Sequence, residues 1–295
     1  MQRDEPLGVG LLYNPALPAW LNDHIGLLDY VEIIPDMFWT DAGLGAPSRF
    51  RELPSWMHAL EPISKRVPVV AHDIGLSLGS ADIFDDEYLR QIAAFQGRHD
   101  VRWHSDHVSF LQVKGRTGKA HNAGVAVPVC FDHEMLDVFV EHVLRVQEGT
   151  SLPFLVENSA YYVDFPEQDL SEPEFLNSLT LRTGCGLLLD LHNLYVNCRN
   201  RKTDPRHFLD ALALDRVVEV HVAGGSEIGE VYTDSHAGAC PPEVWRLLDA
   251  VIPKAPRLRG ITFEFHDSYF GLLGEAGLER EIGLARKAWA QRPGG

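Results

Sequence analysis

Positive charge is scarce in this chain. Against 42 Asp and Glu there are 26 Lys and Arg, a net charge of −16 with histidine neutral. Such a balance disfavours nucleic acid as a partner, because duplex affinity comes largely from cations neutralising phosphates. It would instead suit a basic peptide or protein. Cysteine is scarce too: Cys130, Cys185, Cys198 and Cys240 are scattered, with no C-x-x-C pair. That excludes a disulfide framework or a zinc ribbon and points to a reducing compartment. No apolar run approaches the roughly 18 residues of a membrane span, and the polar start Met-Gln-Arg-Asp-Glu-Pro is no signal peptide. A cytoplasmic protein without membrane contact is expected. Repeats are missing, and low complexity is confined to the tail Arg292-Pro-Gly-Gly. With no break in composition, residues 1–295 read as one domain.

Eight short, nearly continuous apolar runs are present. They read as strands buried on both faces: Gly8–Leu12, Tyr30–Ile34, Val67–His72, Val101–His107, Pro153–Glu157, Gly186–Asp190, Val217–His221 and Gly260–Glu264. Segments of helical period lie between them at Glu87–Phe95, His133–Val146, Glu172–Arg182, Arg206–Ala213, Pro242–Val251 and Leu278–Ala290. Ser171-Glu-Pro-Glu and Asp204-Pro supply chemistry that starts helices. Parallel neighbours need crossover helices, so the alternation predicts an α/β fold, a (β/α)8 TIM barrel.

Six of the runs end on a residue that can hold a metal: His72, His107, Glu157, Asp190, His221 and Glu264. Carboxyl ends of barrel strands share one mouth, where such crowding of carboxylates is unfavourable without cations. A multinuclear metal site follows. Histidines on expected helices or connections (His24, His58, His99, His133, His142, His207) are read as structural. Asn193 lies three residues beyond Asp190, and Asp234 and His236 form an i, i+2 pair beyond His221. Asp106 precedes His107 and can orient its imidazole.

Several stretches carry a resemblance. They are His72-Asp-Ile-Gly-Leu-Ser-Leu-Gly-Ser, Trp103-His-Ser-Asp-His107, Leu155-Val-Glu-Asn158, Thr183-Gly-Cys-Gly-Leu-Leu-Leu-Asp-Leu-His-Asn-Leu-Tyr-Val196 and Glu219-Val-His-Val-Ala-Gly224. Within the xylose-isomerase-like barrels, they resemble the multinuclear non-haem iron-dependent oxidative enzymes, which include those of methanobactin and 3-thiaglutamate biosynthesis. The resemblance implies a first metal on His72, His107 and Glu157. A second would share Glu157 and add Asp190, His221 and Glu264, and a third would use Asn193, Asp234 and His236. Metal-dependent nucleases of this fold carry histidine where Asn193 stands. Two or three iron ions, with O2 as co-substrate, are the implied cofactors, and mixed N/O ligation with open positions suits iron. The implied activity is oxidation of a residue, cysteine above all, in a ribosomally made precursor peptide, or of a related small thiol. A separate leader-binding partner protein is the further implied partner.

The substrate side departs from the family. Its usual Arg and His after the first strand are replaced in Gly8-Val-Gly-Leu-Leu-Tyr-Asn-Pro15, and its His-Ala-Gly-His becomes His221-Val-Ala-Gly-Gly225. His192 stands where the family more often has asparagine, either as a ligand or facing substrate. Asn158 and His192, with Asp106, are the residues expected beside the centre; Tyr13, Asn14, Ser77 and His104 are expected to meet substrate. Alternatives on the same cage are a phosphodiesterase or AP-endonuclease-like hydrolase, a sugar isomerase or epimerase, and a protein that only stores metal or binds peptide.

Overall fold

In a computed structural model describing residues 5–14, 17–116 and 120–292, eight parallel strands close into a barrel. Residues 1–4 of the polar start, Pro15 and the end of the Gly/Pro tail lie outside the described residues. The barrel strands are β1 (Gly8–Leu12), β2 (Tyr30–Ile33), β3 (Val69–His72), β4 (Val101–His107), β5 (Phe154–Glu157), β6 (Gly186–Asp190), β7 (Val217–Ala223) and β8 (Gly260–Glu264). Each pairs with its sequence neighbours, and β1 closes on β8. Four of the expected helices differ from the observed ones by three residues or fewer at either end, and Pro242–Val251 matches. The sixth begins earlier, at Phe270, and bends at Gly274, where φ is +65°.

Three differences matter for the site. β7 runs on to Ala223, so His221 sits two residues inside its strand. Leu191–Arg201 is a helix that follows β6 directly. It starts there because the Asp190 carboxylate accepts the backbone N–H groups of His192 and Asn193, at 2.6 and 2.8 Å. One side chain thus ends a strand, caps a helix and fixes Asn193. Two-stranded hairpins also rise beyond the barrel strands, and Ser226–Ile228 with Val231–Thr233 carries Asp234 and His236 at its exit.

Strand alternation explains the interior. Moving two residues along a strand leads from Tyr30 to Glu32, from Val70 to His72, from Leu155 to Glu157 and from Leu188 to Asp190. Tyr30, Val70, Trp103, Leu155, Leu188 and Val218 pack together as a small inner core. Gly10 and Gly260 leave room for the Tyr30 side chain: a Cβ on Gly10 would come within 2.3 Å of the ring and one on Gly260 within 2.5 Å of the hydroxyl. This floor also holds a buried carboxylate, Glu219. It accepts from Trp103 Nε1 at 2.6 Å, Thr262 Oγ1 at 2.8 Å and Tyr30 Oη at 3.1 Å.

Candidate metal centre at the barrel mouth

Register brings the strand ends together. His107 lies opposite Glu157 across β4 and β5, and Asp190 opposite His221 across β6 and β7. Glu157 Oε2 is 3.1 Å from His72 Nε2 and 3.2 Å from His107 Nε2. On its other side, Glu157 groups with Asp190 and His221, their ligand-type atoms all within 4.8 Å of one another. One carboxylate therefore belongs to two clusters. Glu264 Oε2 is 3.1 Å from His221 Nδ1 and 3.7 Å from His236 Nε2, while His236 Nε2 is 3.1 Å from Asp234 Oδ1. Asn193 donates from Nδ2 to Glu157 Oε1 at 3.2 Å.

Protons hold this cage together in the metal-free chain. Burial alone would lower the imidazole pKa values. Glu157 nevertheless holds His107 up at about 9, and Asp234 with Glu264 holds His236 at about 10. His221 is likewise kept well above the usual range by Glu264 and Glu32. Burial raises Asp190 far above the carboxylate range, with Glu157 and Glu264 adding to it. Burial opposes the charge on Glu157, yet His107 and His72 pull its pKa down. A divalent cation would do the work of those protons and release them.

Among the cage atoms, the buried Asn193 Oδ1 has no hydrogen-bond partner among the described residues, while Glu157 Oε2 and His221 Nδ1 meet only other members of the cage, His72 with His107 and Glu264. Orphaned buried acceptors are costly unless something fills the gap. These three are lone-pair donors of the kind iron accepts, so the residues present fit a metal cluster.

A cavity of about 370 Å³ opens above the cage. His72, His107, Glu157, Asp190, Asn193, Asp234, His236 and Glu264 line one side of it. Met37, Trp56, Ile34, Ile74, Phe265 and Leu12 form an apolar wall, and Tyr13 and Asn14 also line it. Neither lysine nor arginine occurs in this lining among the described residues.

Other expected residues lie elsewhere. Ser77, at φ +54°, takes the backbone N–H groups of Leu111 and Gln112 at 2.7 and 3.0 Å and so pins a hairpin. His104 is fully buried behind the strand, with Nδ1 2.7 Å from Asp73 Oδ2. Burial pushes His104 down to about 3 and Asp73 well up, so both favour their uncharged forms. Neither Ser77 nor His104 lines the cavity. His192 does not line it either; its Nδ1 lies 2.9 Å from Asp234 Oδ1, so it braces that carboxylate. Asn158 clips the ends of β5 and β6 together, donating to the Asp190 carbonyl and accepting its N–H, both at 2.9 Å. Asp106 stands 3.6 Å from His107 Nδ1 and acts through the backbone, accepting from Leu76 N at 2.9 Å and His107 N at 2.6 Å. Sequence reasoning missed Glu32, which is fully buried with Oε2 3.1 Å from His221 Nε2. It lies inside its apolar run rather than at the end.

Comparison with known proteins agrees with this geometry. A family model described as "RiPP precursor modification enzyme MbnB/TglH/ChrH" matches residues 7–273. A UPF0276 protein of Caulobacter vibrioides is 34% identical over 250 residues, covering 85% of this chain and 83% of its own. Among solved structures, D-psicose 3-epimerase of Clostridium cellulolyticum superposes with a TM-score of 0.59 at 9% identity, over 95% of this chain and 97% of its own. Endonuclease IV of Thermus thermophilus gives 0.52 at 19% identity, over 92% and 99%. At such identities these two show the xylose-isomerase-like barrel alone.

Proposed function

Because the chain belongs to the family of RiPP precursor modification enzymes MbnB/TglH/ChrH, we propose that it is an iron-dependent oxidative enzyme. It uses O2 to modify a residue, cysteine above all, of a ribosomally made precursor peptide or a related small thiol. The observation that carries this reading is the sharing of one buried carboxylate, Glu157, between two clusters of ligand-type atoms, with the buried Asn193 Oδ1 beside it left without a hydrogen bond.

Two or three ions are part of the proposal. His72, His107 and Glu157 would hold the first, and Glu157, Asp190, His221 and Glu264 the second. Asn193, Asp234 and His236 would hold the third. Bound iron would supply electrons to O2 and a Lewis-acidic anchor that keeps a substrate sulfur as thiolate. The chain supplies the rest. Asp190 sets Asn193 by capping its helix, Asn158 fixes Asp190, and His192 fixes Asp234. The wall of Trp56, Met37 and Phe265 keeps water from the reacting side chain. Tyr13 and Asn14, which line the same cavity, would meet the substrate.

A hydrolytic reading finds less support, since the lining carries no lysine or arginine for a phosphodiester. No described helix is long and apolar enough to cross a membrane. The setting proposed is the cytoplasm, with a separate protein holding the leader of the precursor. The test is mass spectrometry of the peptide encoded by a short reading frame beside the gene, incubated with iron-loaded enzyme. A mass change that requires both iron and O2 supports the reading. An unchanged peptide together with phosphodiester cleavage overturns it.

A further inference from the structure

One imidazole of the cage is gripped from both sides. His221 is fully buried. Its Nδ1 faces the mouth, 3.1 Å from Glu264 Oε2, and its Nε2 faces the floor, 3.1 Å from Glu32 Oε2. Glu32 follows Tyr30 by two residues on β2, so both side chains enter the barrel, with Glu32 one layer nearer the mouth. Apart from His221, no hydrogen-bond partner of the Glu32 carboxylate is found: its second oxygen has none among the described residues.

A second carboxylate, Glu219, is 3.9 Å from the same Nε2, beyond hydrogen-bond reach. Its oxygens are already taken by Tyr30, Thr262 and Trp103. The other imidazoles of the cage differ. His72 turns its Nδ1 to the neutral Ser105 Oγ at 2.8 Å, and His107 Nδ1 stays 3.6 Å from Asp106. Among these three histidines, a carboxylate sits within hydrogen-bond distance of the nitrogen away from Glu157 only at His221.

The geometry points to Glu32 as the positioning residue for metal ligation by His221, an inference that rests on the metal reading above. Its carboxylate accepts the Nε2–H, which leaves the lone pair on Nδ1 and aims it at the space between Glu264, Asp190 and Glu157. An anionic acceptor also makes the imidazole a stronger donor to the ion than a hydroxyl would. Glu32, His221 and Glu264 offer atoms close enough to hold an ion directly. A hydrogen bond from Nε2 to Glu32 uses the nitrogen such an ion would need on that side, so positioning is the assigned role.

The test titrates metal-free wild type, Glu32→Gln and Glu32→Leu with Fe2+ under anaerobic conditions against a chromogenic chelator. Ions are counted at saturation, and the metal-free proteins are melted. Both variants should reach the wild-type count, with one ion bound about 10- to 100-fold more weakly and leucine worse than glutamine. Melting of the metal-free Glu32→Gln protein should stay near wild type. Wild-type affinity in Glu32→Gln overturns the assignment, even if the leucine variant fails to fold. An ion missing at saturation makes Glu32 a ligand and overturns it as well. If the wild type itself binds no iron, the metal reading falls and this inference with it.

Discussion

The floor and the mouth of the barrel are built from the same strands, a few residues apart, and both bury carboxylates. On the floor every hydrogen-bond need of Glu219 is met by a neutral donor: Tyr30, Thr262 and Trp103. At the mouth Glu157 and Glu264 meet histidines instead, Asp190 clusters with Glu157 and His221, and Asn193 Oδ1 is left without a hydrogen bond. A carboxylate surrounded by fixed neutral donors is a structural device. Carboxylates crowded together and held by titratable imidazoles are prepared for cations. The two layers therefore separate what the protein needs in order to fold from what it needs in order to act.

Glu157→Gln should break the mouth most severely. If its carboxylate bridges, two ions leave together, each affinity falling more than the roughly 100-fold typical of an outer-shell loss. Metal analysis of the purified variant checks this, and loss of a single ion would end the bridging assignment. Asn193→Ala removes the orphaned Oδ1 and should weaken only the ion on the Asp234–His236 side, by about 10-fold or more. The ion count at limiting iron separates it from Glu157→Gln.

Most of the mouth was legible because polar side chains end apolar runs, a position that a buried strand does not tolerate without reason. His104 and Ser77 do not reach the cavity, and the pattern holds a clue for His104 alone. His104 is out of phase with Trp103, Ser105 and His107, so it leaves the barrel on the other face. Nothing local marks Ser77, whose left-handed backbone faces it toward a hairpin. The helix Leu191–Arg201 was hidden by its polar sequence and by its cap, Asp190, which also reads as a ligand. Pro62 obscured the helix Pro54–Ser64, which brings Trp56 to the cavity. Glu32 was lost inside a run of strand residues because its partner, His221, is 189 positions away.

Floor substitutions should leave the metals alone. Tyr30→Phe removes one donor to Glu219 and should cost about 1–3 kcal/mol in chemical denaturation, with the ion count unchanged. A changed count would mean that floor and mouth are not separable. The smallest effect concerns protons. In the metal-free chain His107 and His236 sit at about 9 and about 10, above the 6.5 of an ordinary histidine. Their contribution to stability is complete below that ordinary value and is lost as pH rises through the raised ones. Metal-free protein should therefore melt at a lower temperature at about pH 10 than at about pH 6.5. Iron affinity should rise over the same interval, because fewer protons have to be displaced. Equal melting at the two values would mean that the cage is not held by protons.

On the reading proposed above, the mouth is a multinuclear iron cage. Protein purified without oxygen, assayed for metals and examined by Mössbauer and electron paramagnetic resonance spectroscopy, tests it most directly. Two or more irons per chain with a mixed-valence signal are the predicted result; stoichiometric zinc with phosphodiester cleavage would contradict it.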